Sequence, residues 1–517
     1  MKPPSPSLSA TPNAQALGRA GWGLVTAVAV AAALLAGCAL PPHATGPAPT
    51  PVPVNWQGAL PAASPATDLA RWWQQFDDPL LSQLIDSAQT VSPTVAVAAS
   101  RIAQARLVSI QAGALGGPLL EAQGGVSRGR PDLLSPVART ASVGLSASWE
   151  LDVFGAQRAA QQAAQARWQG AQAGWHDARV VVAAEVAQAY LALRACEAQL
   201  GPIEADARSR QETARVTEHS AQAGFQAPAV AALARASAAQ GQQQLIQQRA
   251  QCQLFQQALG ALTGWTPQQL QAGLPARTAL LPKPASLSVT DVPAQVLAQR
   301  PDVFDAEREV LAAQAGVNEQ QALRYPRVAL LGSVGRARVD ALGVSQSGTV
   351  WSVGPVSVSF PVWDAGLQRA NVVAAQARVD EARSRYNATL RRAIQEVEEA
   401  LIRLQSASDR QVHAQAAVSG YAQSFLATRA LFRNGGASLL ALEDTRRSQV
   451  QAQSALISLQ QEQVAAWVAL YRALGGGWTP PREAPASAQT AATVPSSPAR
   501  QGVVDDAGAP APKVGTP

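Results

Sequence analysis

The segment Ser148-Trp-Glu-Leu-Asp-Val-Phe-Gly-Ala-Gln-Arg158 returns as Ser359-Phe-Pro-Val-Trp-Asp-Ala-Gly-Leu-Gln-Arg369, an offset of 359 − 148 = 211 residues. Its serine, glycine, glutamine and arginine coincide in the two copies. At both places a β pattern of the membrane type runs straight into a very long helical pattern. Few architectures accommodate a duplicated strand-into-long-helix unit, and the unit points to a pore rather than a catalyst.

The strand over Ala141 to Asp152 carries the clearest local pattern. Val143, Leu145, Ala147, Trp149 and Leu151 share one face, and Ser142, Gly144, Ser146, Ser148, Glu150 and Asp152 share the other. Such alternation gives one apolar and one wet side. The length matches the ~9–11 residues of a tilted membrane strand. In the second copy Trp351 and Val353 fall on one phase, whereas Val356, Val358 and Phe360 fall on the other, with Gly354-Pro355 between them. A bulge or bend at that point reconciles the two phases. Four such segments, near 119–128, 141–152, 327–339 and 350–362, are too few to close a barrel. An open edge in lipid leaves backbone groups unpaired at several kcal/mol each. The chain is therefore expected to oligomerise.

Each strand pair is flanked by helical patterns. Ser92-Pro93 and Arg300-Pro301-Asp302 open helices reaching about Ala112 and Arg324, the first with a serine cap and proline at the first helical position. Long stretches follow, 155–221 with a return at 228–262, and 366–433 with a return at 438–474. The second long stretch could reach about 100 Å at ~1.5 Å per residue. Gly201-Pro202 interrupts the first and predicts a kink or break. Leu390, Ile394, Val397, Leu401 and Leu404 are spaced 4, 3, 4, 3, a coiled-coil seam. Arg392 with Glu396 and Glu399 with Arg403 are placed to pair beside it. The expected organisation is a signal at 1–37, an acylated spacer at 38–77, repeats at 78–265 and 293–478 joined by a linker at 266–292, and a disordered tail at 479–517.

Lys2 and Arg19 precede an apolar run from Trp22 to Ala36, about fifteen residues, shorter than the ~20 of a spanning helix. It ends in Leu35-Ala-Gly-Cys38, which resembles the bacterial lipoprotein processing box. That resemblance implies cleavage before Cys38, an S-diacylglycerol on its thiol and an N-palmitoyl on its amine. Ala39 in place of aspartate implies outer-membrane sorting. Removing Lys2 and Arg19 leaves 39 basic against 35 acidic residues, +4, so no nucleic-acid surface is indicated. Cys196 and Cys252 then remain in an oxidising compartment. Their midpoint, (196 + 252)/2 = 224, falls on Gly224 in the turn Ala-Gly-Phe-Gln-Ala-Pro228. Antiparallel helices hinged there place the cysteines opposite one another, as a disulfide or as two buried thiols; the disulfide is the prediction.

Trp72-Trp-Gln-Gln-Phe-Asp-Asp-Pro-Leu80, Ser148-Trp-Glu-Leu-Asp-Val-Phe-Gly155, Arg300-Pro-Asp-Val303, Pro361-Val-Trp-Asp-Ala-Gly366 and Leu-Gly-Gly-Gly-Trp478 together resemble the TolC-type outer-membrane factors, most closely the lipoprotein branch serving resistance-nodulation-division (RND) efflux pumps. The resemblance runs from about Val54 to Trp478. It implies a mostly α homotrimer in a Gram-negative outer membrane, with a 12-stranded β-barrel continued by a periplasmic α-helical barrel. Its implied partners are a periplasmic membrane-fusion adaptor, an inner-membrane RND pump and outer-membrane lipid. The helix tips would turn at Gly224 and Gly435. Ser438-Leu-Leu-Ala-Leu-Glu-Asp-Thr-Arg-Arg447 resembles the family's gate motif and implies a periplasmic gate at Leu440 and Asp444; the alternative is an ordinary surface pair. Glu443 before the aspartate and Phe432-Arg-Asn-Gly435 depart from the common pattern.

His43, His176, His219 and His413 are scattered, no metal-ligand spacing occurs, and neither a catalytic residue nor a cofactor is expected beyond the Cys38 lipid. Asp152, Asp364 and Glu150 are expected where strand meets helix, facing water. The function class that fits best is a passive exit duct for small molecules in a tripartite efflux system. A protein-secretion channel and a non-conducting, lipid-tethered coiled-coil spacer are the other two.

Overall fold

A computed structural model describes residues 56–57, 69–76, 78–130, 133, 136–282 and 293–480. Cys38, the signal, most of the spacer and the tail after Pro480 lie outside the described residues. In chain order the elements are a 3-10 segment Leu69–Phe76, α1 (Pro79–Val91), α2 (Pro93–Ala114), β1 (Leu119–Gly129), β2 (Ala138–Leu151), α3 (Ala156–Gln222) and α4 (Pro228–Thr263). Then come α5 (Pro267–Gly273), a 3-10 turn Leu274–Arg277, α6 (Pro293–Ala298), α7 (Pro301–Ala322), β3 (Arg327–Ala341), β4 (Val344–Ser359), α8 (Leu367–Arg433) and α9 (Leu439–Ala473). Both long helices have 67 residues. They start at 156 and 367, again 211 apart, and each reaches about 100 Å.

The duplicated motif works as a helix start. Gly155 and Gly366 take the left-handed conformation, φ 85° and 88°, which turns the chain from strand into helix at little steric cost to a residue without Cβ. Asp152 accepts the backbone N–H groups of Gln157 (3.1 Å) and Arg158 (3.0 Å). Asp364 does the same for Gly366 (2.9 Å) and Gln368 (2.8 Å), and these bonds, the Gln368 one foremost, hold its carboxyl below the usual range. The two aspartates thus satisfy donors that a helix N-terminus otherwise leaves open.

The four strands form one antiparallel sheet in the order β1-β2-β3-β4. Its register puts Leu145 beside Ala122 and Val334, Val334 beside Trp351, and Trp149 beside Leu330. An apolar face therefore crosses all four strands. The opposite face carries Ser142, Ser146, Ser148, Ser333 and Ser352, the last two hydroxyls 2.8 Å apart. The register shifts between Leu330, paired with Val356, and Gly332, paired with Val353. Gly354 and Pro355 together oppose the single residue Leu331, and this one extra residue brings Trp351 and Val353 onto the same face as Val356 and Val358. Val143, Trp351 and Val353 are 66%, 73% and 89% exposed. Apolar surface of this extent on one chain marks a face made for lipid or a partner. Among the described residues, no strand lies beside the outer edges of β1 and β4.

Among the described residues, no helix is long and apolar enough to cross a membrane. The helices instead pack into a bundle, α3 against α4, α8 against α9, α7 against both long helices, and α9 against α3. Leu390, Val397, Leu401 and Leu404 of the seam are buried and Ile394 partly so. Glu399 pairs with Arg403 at 3.3 Å, but Glu396 is taken by Arg300 at 2.8 Å rather than by Arg392. Of the kink or break expected at Gly201-Pro202, the break does not occur, and helix α3 runs through Pro202. Helical residues pack on neighbouring helices on both sides of the proline, and that packing outweighs one lost backbone hydrogen bond. Cys196 on α3 and Cys252 on α4 are joined by a disulfide with Cα atoms 5.6 Å apart.

Parts of the two segments expected as linker and spacer pack into the core. Thr266 and Gln269 form a reciprocal capping box that starts α5 inside the expected linker. Leu270 and Leu274 are buried, and Arg194 donates to the Leu274 carbonyl at 3.0 Å. Within the expected spacer, Trp72, Trp73 and Phe76 are buried against Tyr471 near the end of α9.

Candidate gate at the helix tips

The two tip turns are built alike. Phe225 N–H donates to Ser220 O (2.9 Å) and Gly224 N–H to Ala221 O (3.1 Å), while Gly436 N–H donates to Leu431 O (2.8 Å) and Gly435 N–H to Phe432 O (3.1 Å). Gly224 and Gly435 adopt φ 79° and 78°. Left-handed glycines closing 6→1 bonds are a standard way to end a helix and reverse the chain. Ser438 then caps α9, its hydroxyl accepting the Ala441 N–H at 3.1 Å.

Leu440 and Asp444, one turn apart on α9, are both exposed; Leu440 is 69% accessible. The Asp444 carboxylate lies 3.8 Å from Arg447. At that separation in water the pair restrains little. The structure thus presents an apolar side chain and a carboxylate on one exposed face of α9.

Behind that face lies a site that sequence reasoning missed. Glu443 points into the bundle and, with Arg446, meets Asp206 and Arg210 of α3. All four side chains are buried. Arg210 Nε is 2.7 Å from Asp206 Oδ2, and its Nη1 is 3.3 Å from Glu443 Oε2. Arg446 pairs with Glu443, lies 3.8 Å from Asp206 Oδ1, and donates to Thr213 Oγ1 at 3.2 Å. Ser237 of α4 donates to Glu443 at 2.9 Å and accepts from Arg210 at 2.8 Å. Phe425 of α8 stacks under the Arg446 guanidinium, 5.6 Å from ring centre. Gly241 makes the room, since a Cβ there would sit 2.8 Å from Arg210 Cδ. Two cations and two anions balance, and all four long helices contribute.

A second charged cluster lies where α7 begins and α9 ends. Arg300, buried, pairs with Asp302 and Glu396 at 2.8 Å each and donates to the Ala473 carbonyl at 2.9 Å. Beside it, burial pushes the Asp177 carboxyl up to about 6, the Asp302 charge adds to this, and Arg300 opposes it. A carboxyl raised in the folded state binds its proton more tightly there, so its contribution to stability is lost as pH rises from about 4 through 6. Asp177→Asn is therefore expected to stabilise the protein by about 1–3 kcal/mol at pH 7.5 and to change nothing at pH 3.5. Thermal unfolding of both forms across that range checks it, and a gain independent of pH would refute the assignment.

The sequence matches the family described as outer membrane efflux protein over residues 84–265 and 292–476. It is 30% identical over 462 residues to the solvent efflux pump outer membrane protein SrpC of Pseudomonas putida, covering 86% of this chain and 97% of that one. It is 33% identical over 463 residues to the pyoverdine export outer membrane protein OpmQ of a Pseudomonas putida strain, covering 86% and 95%. The fold is similar to the outer-membrane channel OprN, with TM-score 0.74 at 26% identity over 85% of this chain and 98% of that one. It is also similar to the open state of the Neisseria gonorrhoeae MtrE outer membrane channel, with TM-score 0.75 at 25% identity over 86% and 99%. The duplicated sheet and helix pairs and the matches over both halves agree: the chain belongs to the outer membrane efflux protein family, whose members are TolC-type channels.

Proposed function

We propose that three copies of this chain close their sheets edge to edge into a 12-stranded barrel in the outer membrane, continued across the periplasm by the long helices, and that the assembly is the passive exit duct of a tripartite RND-type efflux system. The observation that carries this reading is the sheet itself: an apolar face, a serine-lined face and two open edges. Lipid tolerates strands only in a closed barrel, and three sets of four close one. Relatives named for solvent, pyoverdine and cation efflux support small molecules or ions as cargo. An adaptor would meet the tips at Gly224 and Gly435, and a pump would supply the energy. Lipid on Cys38 would tether each chain, and the Cys196–Cys252 bond would form on export. The secretion channel and the coiled-coil spacer are the competing readings. Native mass and conductance of the purified protein in planar bilayers test the proposal; a non-conducting single subunit refutes it.

Leu440 and Asp444 form the gate in this reading, an apolar ring over a carboxylate ring. Leu440→Ala with Asp444→Asn is expected to raise single-channel conductance of the isolated trimer by about twofold or more and to weaken its cation preference. Unchanged conductance and selectivity would remove these residues from the gate.

A further inference from the structure

The end of the sheet far from the helices carries four arginines on the face that is otherwise apolar. Arg128 and Arg139 are direct register partners, Arg139 is also beside Asp340, and Arg338 and Arg336 pair with Ala141 and Val143 one and two rungs below. All four side chains are exposed. Like charges set opposite each other on neighbouring strands repel. Among the described residues of this end, Asp340 is the acidic one, and Arg338 Nε holds it at 3.2 Å. Four guanidinium groups against one carboxylate leave 4 − 1 = 3 positive charges unbalanced.

Their height places them at a boundary. Trp149, whose indole donates to the Gly116 carbonyl at 3.0 Å, marks the end of the apolar face nearest the helices. Arg139 is ten residues along the same strand, about 34 Å of chain. A tilt of about 40° reduces this to about 25 Å, the height of the apolar band of a membrane barrel. An arginine on the lipid side is tolerated at the interface and costly at the midplane. Arg128 and Arg139 therefore lie where lipid headgroups begin, and Arg338 and Arg336 stand about 5 and 10 Å deeper, from where long side chains reach up toward the same headgroups. A hollow of about 570 Å³ opens on this face, floored by Gly124 and Ala141 and walled by Val126, Val143, Arg336 and Arg338. It offers apolar contact from Val126 and Val143 beside the Arg338 and Arg336 guanidinium groups on the same two rungs, the pattern that suits an amphiphile with a multiply charged anionic head.

We propose that Arg128, Arg139, Arg336 and Arg338 form a binding site for the phosphate groups of an outer-leaflet phosphorylated glycolipid. The inference rests on the barrel reading, with the apolar face outward and the helices in the periplasm. Guanidinium groups bind phosphate oxygens through paired, charge-assisted hydrogen bonds, so loss of the phosphates removes most of the recognition. The Val126 and Val143 walls would meet the first acyl methylenes.

The test uses the full lipidated assembly in phosphatidylcholine nanodiscs, with diphosphorylated lipid A, its phosphate-free counterpart and inorganic phosphate as probes, read by native mass spectrometry. The wild type is expected to retain the diphosphorylated lipid about tenfold more than the phosphate-free one. The quadruple Arg→Gln variant should lose that preference, and R336K/R338K should keep part of it. Conductance measured on the same samples reports whether the barrel is intact. A conducting wild type without the preference, or a conducting quadruple variant that keeps it, overturns the site while leaving the channel reading standing. Equal competition by inorganic phosphate overturns the lipid assignment. A wild type that forms no barrel overturns both.

Discussion

Arg446→Met alone is expected to destabilise the helical bundle by about 3–5 kcal/mol, because it strands Asp206 and Glu443 in the interior with only Arg210 to balance them. Removing a charge and its partner together is a different perturbation. Glu443→Leu with Arg446→Met leaves the Asp206–Arg210 pair at 2.7 Å, removes the stranded acid and fills the space with apolar atoms. That double variant is expected to recover most of the loss, since well-packed apolar replacements of buried ion pairs are often neutral or better. Denaturant unfolding of the three proteins checks the pattern. A double variant at least as unstable as the single one would show that packing of the Arg446 stem, not charge balance, is what matters.

The same cluster constrains how the tips move. Parting α9 from α3 at this level would expose or strand two cations and two anions in every copy. A binding partner typically shifts a conformational equilibrium by about 1–3 kcal/mol. That is less than the separation costs, so displacement of Leu440 and Asp444 is expected to carry α3 along. Leu440 and Asp444 are exposed while Glu443 and Arg446 of the same stretch are buried, which makes α9 a lever fixed along its buried side.

The repeated elements were legible because each rests on local periodicity. Alternation with period two identified the faces of β2, and the phase change around Gly354-Pro355 located the bulge before any partner strand was known. The 4, 3, 4, 3 spacing located the buried seam of α8. What stayed hidden depends on partners far away in sequence. Asp206 and Glu443 are 237 residues apart (443 − 206), and nothing near either one distinguishes a buried charge from a solvated one. Glu396 looked paired with Arg392 because i, i+4 spacing is visible, whereas Arg300, 96 residues away, is not. Pro202 signalled a kink or a break by its local chemistry, and the packing that keeps α3 continuous through it is tertiary. The departure of Glu443 from the common motif was the one available sign of the cluster. A carboxylate beside Asp444 needs a reason, and burial supplies it.

Trp72→Ala is expected to cost about 3–5 kcal/mol, the range for a large aromatic removed from a core that cannot collapse around the void. The residue is fully buried and stacks on Tyr471 with ring centres 4.8 Å apart and planes 12° from parallel. Trp73 and Phe76 each approach it at 4.7 Å. The cluster joins the first described helix to the last one, so a void here loosens both ends of the chain at once. Trp72→Phe is expected to cost much less. The indole Nε1 has no hydrogen-bond partner among the described residues, so phenylalanine gives up packing volume but no polar contact. Unfolding transitions of the two variants, followed by tryptophan fluorescence and by protease access at 69–76, separate the cases. Similar small losses for both would mean that the aromatic segment merely rests on the bundle. The expected gap between them would make this segment a point at which the chain before α1 is fastened to the helical bundle.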